Sequence, residues 1–104
     1  MNLLTVVKGD PLSFSITHEV DDEIYELHDG EKYSFTISKN LNGEKCIYAK
    51  SVTQFFSVDI SSLECGSYYF QIGIISSAGV ETIISAATDT EGNRINTLIV
   101  TERI

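Results

Sequence analysis

The stretch LECGSYYFQIGII, residues 63–75, carries the strongest signal of fold class in the chain, because a turn leads directly into a long apolar run. From Tyr68 to Ile74 every second residue is a large apolar one. A period of two is typical of a β-strand that buries one face. This segment therefore predicts a strand whose even-numbered side chains enter a core.

Similar alternation recurs along the rest of the chain. It is clear in residues 12–17, 33–38 and 56–60, and weaker strand candidates are Leu3–Val7, Ile24–Leu27, Lys45–Ala49, Val80–Ser85 and Asn96–Val100. Glycine-, asparagine- and aspartate-rich turns separate these runs, and none of them has the spacing of an amphipathic helix. About seven to nine short strands are expected, which indicates an all-β sandwich or small barrel.

Eight large apolar residues in these runs are expected to form the core. They are Phe14, Ile16, Phe35, Ile37, Val58, Ile60, Tyr68 and Phe70.

Leu63, Gly66 and Tyr68 form the pattern L-x-x-G-x-Y, which resembles the tyrosine corner of immunoglobulin-type sandwiches. In such a corner the tyrosine is buried and its hydroxyl bonds to backbone a few residues upstream. We expect the Tyr68 hydroxyl to bond near Asp59–Leu63. The expected fold is an immunoglobulin-like antiparallel β-sandwich, with residues 1–104 forming a single domain.

Charge excludes two classes of partner. The 104 residues include 15 Asp plus Glu and 7 Lys plus Arg, a net charge of −8. Nucleic acids and anionic membranes are bound through Lys and Arg, so neither is expected as a partner. No apolar run approaches the roughly 18–20 residues of a membrane span. The first ten residues have no basic n-region, so no signal peptide is expected.

Residues 18–31 contain seven carboxylates and no Lys or Arg. Asp21, Asp22 and Glu23 are weak candidates for calcium ligands, since Ca²⁺ prefers oxygen donors. The ordered spacing of a calcium loop is absent, however, which favours a solvated acidic edge. His18 and His28 are ten residues apart without partners at zinc-like spacing. We therefore expect no metal and no other cofactor.

The sequence offers little support for catalysis. No nucleophile motif is present, and the many Ser and Thr residues alternate with apolar ones as ordinary strand residues do. Neither Cys46 nor Cys65 lies in a cluster of Lys, Arg or His residues that would activate its thiol, and we expect two thiols rather than a disulfide. The protein is not expected to be an enzyme.

Three segments, in their order and spacing, resemble the small immunoglobulin-like domains at the N-termini of phage tail and baseplate proteins of the baseplate upper protein type. They are residues 8–14 (KGDPLSF), 25–37 (YELHDGEKYSFTI) and 59–72 (DISSLECGSYYFQI). The resemblance covers about residues 6–85 and departs from the family pattern after Ser85. It implies a structural module whose partners are other tail or baseplate proteins, with homo-oligomers possible. Its location would be the virion, or the bacterial cytoplasm before assembly.

Tyr69, Ile75 and Tyr25 are the candidate interaction surface, because Tyr69 and Ile75 fall opposite the core face of their strand. Leu3–Val7 and Leu98–Val100 are expected to be edge strands, which a partner's strand could extend. The alternative function is a surface adhesion or carbohydrate-binding sandwich. It would call for a secretion signal and usually an aromatic platform that includes Trp, and the chain contains no Trp.

Overall fold

The computed structural model describes residues 2–39, 45–86, 91 and 96–102. These residues form ten strands and no helix, which confirms the all-β class. The strands are β1 (Asn2–Val7), β2 (Leu12–Ser15), β3 (Glu19–Val20), β4 (Glu23–Ile24), β5 (Lys32–Ser38), β6 (Lys45–Ser51), β7 (Phe55–Val58), β8 (Gly66–Ile75), β9 (Glu81–Ser85) and β10 (Asn96–Thr101).

The strands form a larger sheet, a smaller sheet and a short hairpin. The larger sheet has the order β1-β10-β8-β5-β6, and β9 also pairs with β8. The smaller sheet pairs β2 with β7, and the hairpin pairs β3 with β4. The apolar faces of the two sheets pack together, so the fold is a β-sandwich.

One pairing differs from the expected antiparallel arrangement. β1 runs parallel to β10, with Leu4 beside Leu98 and Val6 beside Val100. A hairpin would force antiparallel pairing, but nearly the whole chain separates these two strands, so no such constraint applies. The other pairings among the described residues are antiparallel.

Most of the predicted strands are confirmed, and two predictions need correction. The expected strand Ile24–Leu27 is limited to Glu23–Ile24, because the chain soon turns: the Glu31 N–H donates to the His28 carbonyl at 3.0 Å. Leu98–Val100 is not an edge strand, since β10 lies between β1 and β8. The two-residue strand β3 was not predicted.

Seven of the eight predicted core residues are buried, and the eighth, Phe14, is partly buried. Phe35, Ile37 and Ile60 are fully buried, whereas Phe14 is only partly buried at the margin of the cluster. The core also includes residues that were not predicted: Val6, Leu12, Tyr33, Phe56, Leu63, Leu98 and Val100.

Aromatic rings join the two sheets at the centre of the core. The Phe35 ring, from the larger sheet, lies 4.6 Å from the Phe14 ring and 5.9 Å from the Phe56 ring of the smaller sheet, between ring centroids. Phe70, beside Phe35 in the larger sheet, lies 5.5 Å away. Tilted rings at these separations are favourable beyond the area that they bury.

The tyrosine corner precedes β8 and has the expected geometry, with one shift. Tyr68 is 3% exposed, and its hydroxyl donates to the Glu64 carbonyl at 2.7 Å. The acceptor thus lies one residue beyond the predicted segment Asp59–Leu63. Gly66 starts the strand with φ +147°, a backbone conformation that favours glycine. Leu63 is buried, and its N–H donates to the Ile60 carbonyl at 2.9 Å.

We expect Tyr68→Phe to lower the free energy of unfolding by about 0.5–1.5 kcal/mol, because it removes one hydrogen bond and keeps the ring. Urea denaturation followed by fluorescence measures this change. Tyr33→Phe is the matched control, because Tyr33 is also a buried core tyrosine and its hydroxyl forms no hydrogen bond with the described residues. An unchanged stability in Tyr68→Phe would show that the hydroxyl bond does not fix the corner.

Asn96 joins β9 to β10 where both lie beside β8. The residue is fully buried, and its side-chain amide donates to the Ser85 hydroxyl at 2.8 Å and to the Ala86 carbonyl at 2.9 Å. β9 pairs with the C-terminal half of β8, and β10 pairs with its N-terminal half. The two strands therefore act as two halves of one interrupted strand, and Asn96 holds the junction.

Candidate functional site

The larger sheet has one face in the core and an opposite side, on which β6 places Lys50 and β9 places Glu81. We call the outer face the part of that side formed by the outward side chains of β1, β8 and β10, since successive residues of a strand point to opposite sides. They are Leu3, Thr5, Val7, Ser67, Tyr69, Gln71, Gly73, Ile75, Thr97, Ile99 and Thr101. None of these residues is charged, although the chain has 15 acidic and 7 basic residues.

A row of side chains crosses the three strands of the outer face and ends on β5. Leu3 pairs with Thr97, Thr97 with Tyr69, and Tyr69 with Ser38. Leu3 is 57% exposed at one end, whereas Thr97 is buried and Tyr69 half-buried. The Thr97 hydroxyl has no hydrogen-bond partner among the described residues. The face thus contains a buried polar atom whose bonding capacity is unused.

A charged cluster borders the outer face where β6 lies beside β5 and β9 lies beside β8. The Tyr48 hydroxyl donates to the Glu81 carboxylate at 2.9 Å, and Lys45 and Lys50 place their Nζ atoms 5.1 and 5.6 Å from the centre of the Tyr48 ring. Hydrogen bonds from Ser34 and Tyr48, together with these two lysines, lower the pKa of Glu81. Burial and the Glu81 contact raise the pKa of Tyr48. The cluster concentrates charge at one margin and leaves the rest of the face neutral.

Close backbone packing lies beneath this cluster at Gly73. A Cβ atom added there would lie 2.9 Å from the Ser34 hydroxyl and 3.0 Å from the Thr82 carbonyl oxygen. The absence of a side chain leaves room over Gly73 for the Ser34 hydroxyl to bond to the Glu81 carboxylate, and Ser34 is buried there although it faces away from the core.

Only two of the three predicted interaction residues share the outer face. Tyr69 and Ile75 lie on it, both half-buried. Tyr25 lies in a different region, where it lines a groove with Val52 and Phe55. Val52 and Phe55 are 69% and 64% exposed, an apolar pair that the sequence analysis did not identify.

Tyr25 is held by two histidines and a glutamate. Its ring centre lies 5.5 Å from that of His18 and 5.4 Å from that of His28. Its hydroxyl donates to a Glu31 carboxylate oxygen at 2.7 Å, and the His28 backbone N–H donates to the same oxygen at 2.7 Å. These bonds lower the pKa of Glu31, and the bond to Glu31 raises the pKa of Tyr25. The resulting stabilisation is present above the ordinary carboxyl range and is lost as pH falls through the lowered pKa of Glu31.

The calcium candidates Asp21, Asp22 and Glu23 have a structural explanation. Asp21 and Asp22 form the two-residue loop between β3 and β4, with φ values of 53° and 64°. Tight hairpin turns need positive φ at both positions, which aspartate tolerates. Within the described residues, no group of three or more His, Cys, Asp or Glu side chains is arranged to hold a metal ion.

The two cysteines are exposed thiols, and no disulfide joins them. Cys65 lies in the corner turn, in an open cleft with Lys8, Glu64 and Glu102. The Lys8 ammonium donates to the Leu63 carbonyl at 2.7 Å and so attaches the β1–β2 turn to the corner.

The described part of the chain contains no helix long and apolar enough to cross a membrane. No protein-family model matches the sequence, and neither a curated protein nor a solved structure was found to match it. The structure itself therefore defines the class, which is an all-β sandwich with an uncharged outer face on three adjacent strands.

Proposed function

We propose that this protein is a non-catalytic structural module that binds other protein chains in the tail or baseplate of a phage or prophage particle. The observation that carries the binding function is the outer face, where three adjacent strands present no charged side chain.

Composition supports a protein partner for this face. Charged residues are depleted and tyrosine is enriched in the buried centres of protein interfaces. The outer face offers Tyr69, Ile75 and Ile99 among hydroxyl side chains, which lose less on desolvation than carboxylates or ammonium groups would. A net charge of −8 makes such a neutral area unusual for a surface that faces only water.

The phage setting rests on the resemblance of residues 8–14, 25–37 and 59–72 to baseplate domains. In the fold these segments correspond to the turn entering β2, to the approach and body of β5, and to the corner with β8. They thus include two central strands of the larger sheet and the turns that lead into strands, and β8 contributes Ser67, Tyr69 and Gln71 to the outer face.

A capture experiment with the proteins encoded by neighbouring genes tests the proposal. Wild-type protein should retain at least one tail or baseplate protein. Ile83→Lys, opposite Gly73 at the margin of the outer face, should weaken capture about tenfold or more. Val80→Lys is the matched control, because Val80 is an exposed aliphatic residue in the turn of the same hairpin. If no neighbour is captured and a glycan array is bound instead, the adhesion alternative replaces this proposal.

A further inference from the structure

β1 is an edge strand whose outer side is open. Its order in the sheet places β10 on one side, and no described strand pairs with the other. The Lys8 N–H donates to the Thr101 carbonyl at 2.8 Å, so the even-numbered residues of β1 direct their backbone groups toward β10. By alternation, Leu3, Thr5 and Val7 direct their N–H groups toward the open side.

The opposite edge of the sheet is protected, and β1 is not. β6 carries exposed Lys45 and Lys50, and its pairing with β5 has an irregularity at Ile37 and Ser38. Charged side chains and bulges are the usual means by which proteins prevent edge strands from pairing with other chains. β1 reads Asn-Leu-Leu-Thr-Val-Val, with no charge and no proline.

The sequence of β1 is self-complementary about Thr5. In an antiparallel pairing of two copies centred on this residue, Thr5 faces Thr5, Leu4 faces Val6, and Leu3 faces Val7. Aliphatic and threonine cross-strand pairs of this kind stabilise sheets, and no like charges oppose each other. The two Thr5 residues then exchange N–H···O bonds, and the Val7 N–H of each copy donates to the Leu3 carbonyl of the other. The Val7 carbonyl takes no part in this exchange, because it already accepts the Asp10 N–H at 3.0 Å.

We propose that two copies of this chain associate antiparallel through β1, about a two-fold axis at Thr5, and form one continuous sheet. The same edge of each copy forms the contact, which closes the assembly at two subunits. The two outer faces then lie side by side and double the neutral surface. The inference extends the proposed function, because it names a first partner for a module that binds protein chains.

Amide hydrogen exchange at high and low protein concentration gives the first test. The Leu4 and Val6 amides bond to β10 and should be protected at both concentrations. The Thr5 and Val7 amides should gain about tenfold or more protection at the high concentration only. Free exchange of Thr5 and Val7 at every concentration would overturn the inference.

The second test measures self-association of charge variants by analytical ultracentrifugation. Physiological salt is used because it screens the net charge of −8 on each copy. Thr5→Lys places two ammonium groups opposite each other and should weaken self-association about tenfold or more. Thr82→Lys, at an exposed threonine of β9, is the matched control and should not. A dimer equally unaffected by both substitutions would overturn the inference.

The two proposals can fail separately. Capture of tail proteins by a strict monomer would overturn this inference and leave the proposed function in place. A β1 dimer that captures no neighbour would support this inference and contradict the proposed function.

Discussion

Phe35→Ala is expected to lower the free energy of unfolding by about 3–5 kcal/mol, the usual cost of deleting a buried aromatic ring. Phe35 is 0% exposed and contacts rings from both sheets. Its removal would leave a cavity between the sheets that the neighbouring rings fill only in part. Chemical denaturation monitored by circular dichroism measures the loss.

Phe55→Ala is the matched control for this substitution. It makes the same chemical change at a phenylalanine that is 64% exposed, and is expected to change stability by less than about 0.5 kcal/mol. Equal losses in the two variants would mean that the core is not centred on Phe35.

Asn96→Ala should lower the free energy of unfolding by about 1–3 kcal/mol, because it removes two side-chain hydrogen bonds, to the Ser85 hydroxyl and the Ala86 carbonyl, at the junction of β9 and β10. Thermal denaturation measures the loss, and hydrogen exchange should show that protection falls most in β9 and β10.

Thr97→Val, the next residue along β10, is the control for Asn96→Ala. The Thr97 hydroxyl is buried without a partner among the described residues, so its replacement by a methyl group should be neutral or stabilising. A loss as large as that of Asn96→Ala would show that Thr97 has a bonding partner in solution.

The sequence was sufficient to predict the sandwich because the buried and exposed faces of β5 and β8 alternate in residue type. Tyr68 and Phe35 are recognisable from local pattern alone: a large apolar residue at every second position, or a tyrosine at fixed spacing after a glycine. Burial of one sheet face determines such positions.

The surfaces were harder to predict because they depend on contacts between distant segments. Asn96 acts through Ser85 and Ala86 across a loop, and a single asparagine before an apolar run does not reveal its partners. Tyr25 alternates with polar residues as a surface aromatic would, yet its place between His18 and His28 follows from the β3–β4 turn.

Open edges were predicted correctly at Leu3–Val7 and wrongly at Leu98–Val100. Both segments are short, aliphatic and near the ends of the chain, so composition does not distinguish them. The order of the strands in the sheet distinguishes them, because β10 pairs with β8 on one side and with β1 on the other.

That parallel contact also determines when the fold can be completed during synthesis. Val6 and Thr101, 95 residues apart in the chain, meet at the end of the β1–β10 pair. At about 5–20 residues per second, β1 waits roughly 5–20 s on the ribosome for its partner strand. Such long-range pairing gives a high contact order and slow folding. A nascent chain that stalls before Asn96 would leave β1 and the N-terminal half of β8 as open edges. Chaperone binding at that stage would protect these edges from aggregation.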